Sequence, residues 1–284
     1  MKTLQLATLL ALTTLFTTSC FRDGGLICTK PSGETISEES TVDDFDRIEL
    51  QMEGEVFISQ GEEYKVEVEA SENILDIIVV NVSGNELVLR TKRGKCIRGE
   101  SDVKFYVTTP TVEGITLSGS GRMTNVTPLT GSEIDVTLSG SGEIELDELD
   151  YELGFMNISG SGTVDVDGLQ LNDLEAKTSG SGNTTITRLT ANVVDMRVTG
   201  SGDVTFEGEE AERLTATISG SGELHAFELP ADDVEVDITG SGSCEVTANE
   251  SLDIRITGSG SVRYKGRPSI NQNITGSGSV INAN

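Results

Sequence analysis

Tryptophan is absent from this 284-residue chain, histidine occurs once, there are five prolines, and aromatic residues make up only 4%. An enzyme of this length would have a thicker, more aromatic core. Sites that act on polysaccharides need acids clustered with a base, and usually aromatic platforms for the sugar rings. The lone His225 stands at an outward position beside Glu223, and the acids are spread without an obvious constellation. The chain reads as non-enzymatic, with no catalytic residues. Positive charge is scarce too: 20 Lys and Arg against 47 Asp and Glu leave a formal net charge of −27. Such a surface repels nucleic-acid phosphates and anionic head groups, which excludes nucleic acid as a partner and leaves a lipid as the means of membrane attachment. Four cysteines without Cys-x-x-Cys or Cys/His spacing give no metal site, and nothing calls for a cofactor. Calcium-binding rolls repeat Gly-Gly-x-Gly-x-Asp, whereas here no Asp recurs at a fixed place.

The apolar run from Leu4 to Phe16 is too short and wrongly flanked for a membrane-spanning helix. It follows Lys2 and leads through Thr17, Thr18 and Ser19 to Cys20, the layout of an export signal. A small-residue run ending in Cys resembles a bacterial lipoprotein signal, in which Cys20 becomes the lipidated first residue of the mature chain. Thr17 departs from the usual Leu three places earlier, and an ordinary secretory signal cleaved nearby is the alternative. Either exports the protein to a compartment where disulfides persist. Cys28 and Cys96 both lie outside the regular part of the chain and form a candidate bridge, which would contribute roughly 4 kcal/mol in the loop-entropy account.

What the sequence does have is glycine, 32 residues of it. Gly-Ser-Gly occurs nine times, at Gly119 and Gly121, Gly140 and Gly142, Gly160 and Gly162, Gly180 and Gly182, Gly200 and Gly202, Gly220 and Gly222, Gly240 and Gly242, Gly258 and Gly260, and Gly276 and Gly278. A period of 18 to 21 residues marks a solenoid. On either side of each triplet, apolar residues fall on alternate positions, as with Ile134, Val136 and Leu138 before Gly140 and Ile144 and Leu146 after it. Period-two alternation means strands with one buried face. The remainder of each repeat carries turn residues, as in DVDG, FEGEE and TANE.

An all-β, single-stranded parallel β-helix follows, one repeat to a coil. Its strands lie ~4.8 Å apart, so the triplets span roughly 38 Å. The glycines occupy inward positions and are expected to be structural corners, where the wall bends or approaches another backbone closely. Cys244 falls at the core position of Ile144, Val164, Leu224 and Val262 and reads as a buried free thiol. RIELQMEGEVFIS begins as a degenerate coil, with Met52-Glu53-Gly54 in the triplet's place; YKVEVEA, ELVLRT and VKFYVTT are further strands, and SENILDIIVV is ambiguous between strand and helical turn. The expected organisation is a signal at 1–19, a lipidated Cys and flexible acidic tether at 20–45, and a β-helix at 46–284, less regular over 46–110 and regular over 111–284.

The order of DDFDRIELQMEGEVFISQGEE, SENILDIIV, GITLSGSGRM and the Gly-Ser-Gly coils resembles the putative auto-transporter adhesin, head GIN domain family of Bacteroidetes. The resemblance runs from about Asp44 to the C-terminus, although no Gly-Ile-Asn occurs and Gly114-Ile115-Thr116 is nearest. It implies a right-handed parallel β-helix and a lipoprotein. Two functions are then expected. The first is an adhesin-like binding module presenting a polar, acidic surface to an unknown protein or glycan. The second is a periplasm-facing structural or envelope-stress protein. Phe21, in place of the Asp associated with inner-membrane retention, favours the outer membrane.

Overall fold

The computed structural model describes residues 27–99 and 102–284. Among the described residues it is all-β with a single helical turn, Glu72–Leu75, and forms a parallel β-solenoid of about eight turns. The strand before each triplet pairs in parallel with its equivalent one turn on. Thus Ile134, Val136 and Leu138 lie beside Gly154, Met156 and Ile158, and Val194, Met196 and Val198 beside Leu214, Ala216 and Ile218. Strands after the triplet do the same, Ile144 and Leu146 meeting Val164 and Val166. The inward side chains are completely or almost completely buried, from Ile48 to Val262, in one continuous core, and Cys244 is among them, a free thiol.

Each turn has three sides. In the turn that starts at Glu143, the inward residues are Ile144 and Leu146, then Leu149 and Tyr151, then Gly154, Met156 and Ile158. Two consecutive outward residues separate these groups, at 147–148 and 152–153, and each pair marks a corner where the inward parity shifts. The first of these corners uses left-handed backbone at Glu148 (φ 52), Gly168 (φ 89) and Arg188 (φ 51) in successive turns. The third corner is the triplet.

Backbone crowding explains the triplet's composition. The Ser201 N–H donates to the Gly180 carbonyl at 3.1 Å and the Ser221 N–H to that of Gly200 at 2.9 Å, and this bond recurs up the corner. A Cβ on Gly200 would lie 2.5 Å from the Gly180 carbonyl oxygen, and one on Gly202 would meet the Gly182 carbonyl and the Thr178 methyl. Left-handed φ is a second requirement only at the first glycine of the last five triplets, Gly200 (φ 130) among them. Close backbone approach applies to all nine. Met52–Gly54 underlies the first triplet, since a Cβ on Gly119 would strike the Met52 carbonyl, so the degenerate coil is part of the stack.

Within residues 27–110 the expected strands and degenerate coil are present, but part of the pairing is antiparallel. Lys65–Ser71 runs antiparallel to Lys104–Thr109, Thr35–Ser40 antiparallel to Lys65–Ser71, and Ile78–Ser83 antiparallel to Glu86–Thr91. Together with Ile74 of the helical turn they lay Val66, Val68 and Ala70 over the open end of the core. The tether expected at 20–45 is therefore corrected over 27–45: Ile27–Thr29 pairs with Lys95–Ile97, a disulfide joins Cys28 to Cys96, and Phe45 is buried. Thr35–Glu39 is exposed and Ser40 half-buried, so the strand carries no apolar alternation by which to recognise it. Cys20 and the export signal lie outside the described residues.

Two buried hydroxyls, on Thr178 and Thr184, have no hydrogen-bond partner. Thr184 stands between Val164 and Val204 in its column. Thr184→Val removes an unsatisfied polar group at constant shape and is expected to stabilise the fold by about 1 kcal/mol, read as a higher denaturant midpoint. Gly200→Val is expected to destabilise it by roughly 3 kcal/mol or more, through the carbonyl clash and the left-handed φ, whereas Ser201→Ala leaves the thermal melt nearly unchanged.

Candidate functional site

Parallel stacking places outward side chains of successive turns in straight rows, so the site is a surface of rows. After the triplet, two rows start on the antiparallel cap and run onto the regular turns. One reads Glu69, Lys104, Glu55, Arg122, Glu143 across neighbouring strands. Its charge alternates at every step. The Arg122 guanidinium reaches Glu143 at 2.5 Å and Glu145 at 2.6 Å. The Glu145 hydrogen bond raises the guanidinium's proton affinity further. Burial, reinforced by the Glu145 charge, outweighs Arg122 and pushes the Glu143 carboxyl above its ordinary value.

The second row reads Glu67, Tyr106, Phe57, Thr124, Glu145. Phe57 and Tyr106 stack, with ring centroids 5.2 Å apart and planes 15° from parallel, and Tyr106 is exposed. Beside them an open groove of about 600 Å³ runs along the triplet corner, lined by Glu55, Lys104, Arg122, Ser141, Glu143 and Thr163 among others. A second, acidic trough of about 390 Å³ continues over Glu145, Asp147, Asp165 and Asp167. At its margin Arg188, held in left-handed backbone, donates to Asp167 at 2.7 Å and Asp147 at 3.1 Å. Arg188 and the Thr187 hydroxyl hold the Asp167 carboxyl below its ordinary value.

The residues singled out in the sequence divide among three places. The triplet glycines form one corner along the solenoid, and Gly121, Gly142 and Gly162 of it floor the groove. Cys28 and Cys96 meet on the outer sheet near the cap. His225 lies between Glu245, at 3.0 Å, and Glu223, at 3.4 Å, while Glu245 also binds Arg263 at 2.6 Å. Glu245 thus faces His225 and Arg263 across neighbouring turns, and Glu223 lies beside His225 on its own strand, on the wall away from both groove and trough. Among the described residues no cluster of His, Cys, Asp or Glu is arranged to hold a metal ion, and no helix is long and apolar enough to cross a membrane. Sequence reasoning missed the aromatic pair and the alternating row. VKFYVTT and EVFIS each show an outward aromatic, but which strands are neighbours in the irregular part depends on the antiparallel cap.

The model of a protein family described as putative auto-transporter adhesin, head GIN domain matches residues 44–207 and 151–268. Solved structures share the fold. A putative adhesin from Parabacteroides merdae superposes with a TM-score of 0.70 at 22% identity, over 90% of this chain and 99% of that one. A putative lipid binding protein from Parabacteroides distasonis gives 0.70 at 24%, over 91% and 100%. A putative adhesin from Bacteroides fragilis gives 0.52 at 26%, over 89% and 99%. The sequence matches no curated protein.

A folded-state carboxyl held low contributes stability above its unfolded value, and that contribution is lost as pH falls through the folded value. Asp167 is expected to titrate below its ordinary 3.8 in an NMR titration of the carboxyl. Arg188→Gln should return its midpoint towards 3.8 and remove this part of the acid stability.

Proposed function

We propose that the chain, which belongs to the putative auto-transporter adhesin, head GIN domain family, is a non-enzymatic binding module held at the cell envelope by a lipid on Cys20. The observation that carries this reading is the arrangement of the outer wall. Rigid rows of charged and hydroxylated side chains are set at one strand spacing, while the lumen is filled with apolar side chains. Ligand contact therefore falls to the outer surface. The same packing bears on the lipid-binding role named for one relative: binding an acyl chain inside would require emptying the core.

A surface of paired charges and hydroxyls offers directional contacts without chemistry. His225 has its ring nitrogens directed at carboxylates of its own wall. The acidic balance of −27 keeps this wall away from anionic lipid, so an anchor at Cys20 would hold the body off the membrane rather than against it.

Antibody labelling of a tagged form on intact and permeabilised cells tests the reading. Intact-cell labelling is expected, together with loss of membrane association in Cys20→Ala. Labelling only after permeabilisation would overturn the adhesin reading in favour of a periplasm-facing structural role, and an unchanged membrane fraction in Cys20→Ala would overturn the anchor.

A further inference from the structure

We propose that the groove beside the Phe57–Tyr106 stack is a binding site for a short, neutral oligosaccharide. This rests on the reading of the chain as an adhesin-like module and names its ligand class. The aromatic pair gives the first argument. One face of the Phe57 ring is covered by Tyr106, and the neighbour in the next turn is the short Thr124. The exposed Tyr106 and half-buried Phe57 rings stand one outward position along from the groove residues Lys104 and Glu55, so an aromatic platform borders a polar groove, the combination that an aliphatic C–H face with hydroxyls at its rim fits.

The polar groups give the second. Lys104, Glu55, Arg122 and Glu143 neutralise one another along their row. Counting Glu69, the row holds three acids against two bases, and the groove also holds Glu53 and Asp102, so a polyanionic glycan is repelled both here and by the net charge of −27. The groups still retain hydrogen-bonding capacity. A guanidinium has five N–H donors, and Arg122 uses Nη1 and Nη2 on Glu145 and Glu143. Carboxylates accept at several lone pairs, and a sugar hydroxyl both donates and accepts. Paired charges with spare donors and acceptors suit hydroxyls better than ions.

Length gives the third. From Lys104 to Thr163 the groove crosses five strands, about 19 Å at one strand spacing per step. That is long enough for several linked sugar rings. Phe57 and Glu55 are successive outward residues of one strand, roughly 6.6 Å apart, so one ligand can touch the ring and the charged row together.

The purified protein would be titrated with chitotetraose, cellotetraose, xylotetraose and mannotetraose by saturation-transfer NMR and interferometry, with a heparin tetrasaccharide and tetralysine for comparison. At least one neutral tetrasaccharide is expected to bind in the millimolar range or tighter. Tyr106→Ala and Arg122→Gln should each weaken it about fivefold or more with unchanged melting, while Arg255→Gln, on another side of the solenoid, should leave it intact. Arg122→Gln touches no core residue, so a fold defect in Tyr106→Ala does not spoil the test. Binding of no neutral sugar, equal binding by both groove variants, or preference for heparin or tetralysine would each overturn the site. Attachment of protein-coated beads to epithelial monolayers separates this from the broader reading. Attachment kept without sugar binding removes only the oligosaccharide site, and sugar binding without attachment removes only the adhesin role.

Discussion

At the triplet corner one turn's backbone rests directly on the next, and the gap between them has no space for a Cβ. That contact sets the rest of the structure. From the second triplet on, the Ser N–H reaches the glycine carbonyl below only because both flanking residues lack side chains, as at Ser201 over Gly180 and Ser221 over Gly200. With one corner held so closely, adjacent sides fall into parallel register, and inward residues stack on like residues. The core is then a column in which Ile144, Val164, Thr184 and Val204 succeed one another. A hydroxyl is the exception in that column.

The corner also organises the exterior. Residues that face outward on one turn face outward on all, so charge is written in rows rather than patches. Arg122 with Glu143 and Glu145, Arg188 with Asp147 and Asp167, and Arg263 with Glu245 and His225 are the same device at different heights. Pairs this exposed contribute little each to stability. Their effect is to fix where donors and acceptors stand, on a wall whose strands pair with their equivalents in the neighbouring turns. A binding surface made this way gains from preorganisation what it lacks in enclosure.

The regular part was legible because its physics is local. Parity follows from alternation, and the period follows from counting, so inward residues such as Met196, Phe206 and Leu224 could be assigned without a structure. Left-handed corners at Glu148 and Arg188 were not legible, since neither residue type signals positive φ. The antiparallel cap was hidden for a different reason. Alternation in YKVEVEA shows a buried face but no direction, and Thr35–Ser40, with no buried residue, shows not even a face. With the cap unread, the neighbours of Tyr106 and Phe57 stayed unknown, and so did the row that runs past them. Candidate chemistry therefore lay where sequence reasoning was weakest.

The Cys28–Cys96 bridge spans 68 residues and encloses every strand of the antiparallel cap except Lys104–Thr109, together with the degenerate coil. A pull delivered at the N-terminal side of Cys28 passes across the sulfurs to Cys96 and bypasses everything between. Unbridged, that segment could pay out on the order of 230 Å of extended chain. Bridged, it is withdrawn from the line of tension, and load enters the solenoid near Lys104–Thr109, a strand held between neighbours on both edges. The end of the molecule nearest the load is thus the part it cannot stretch.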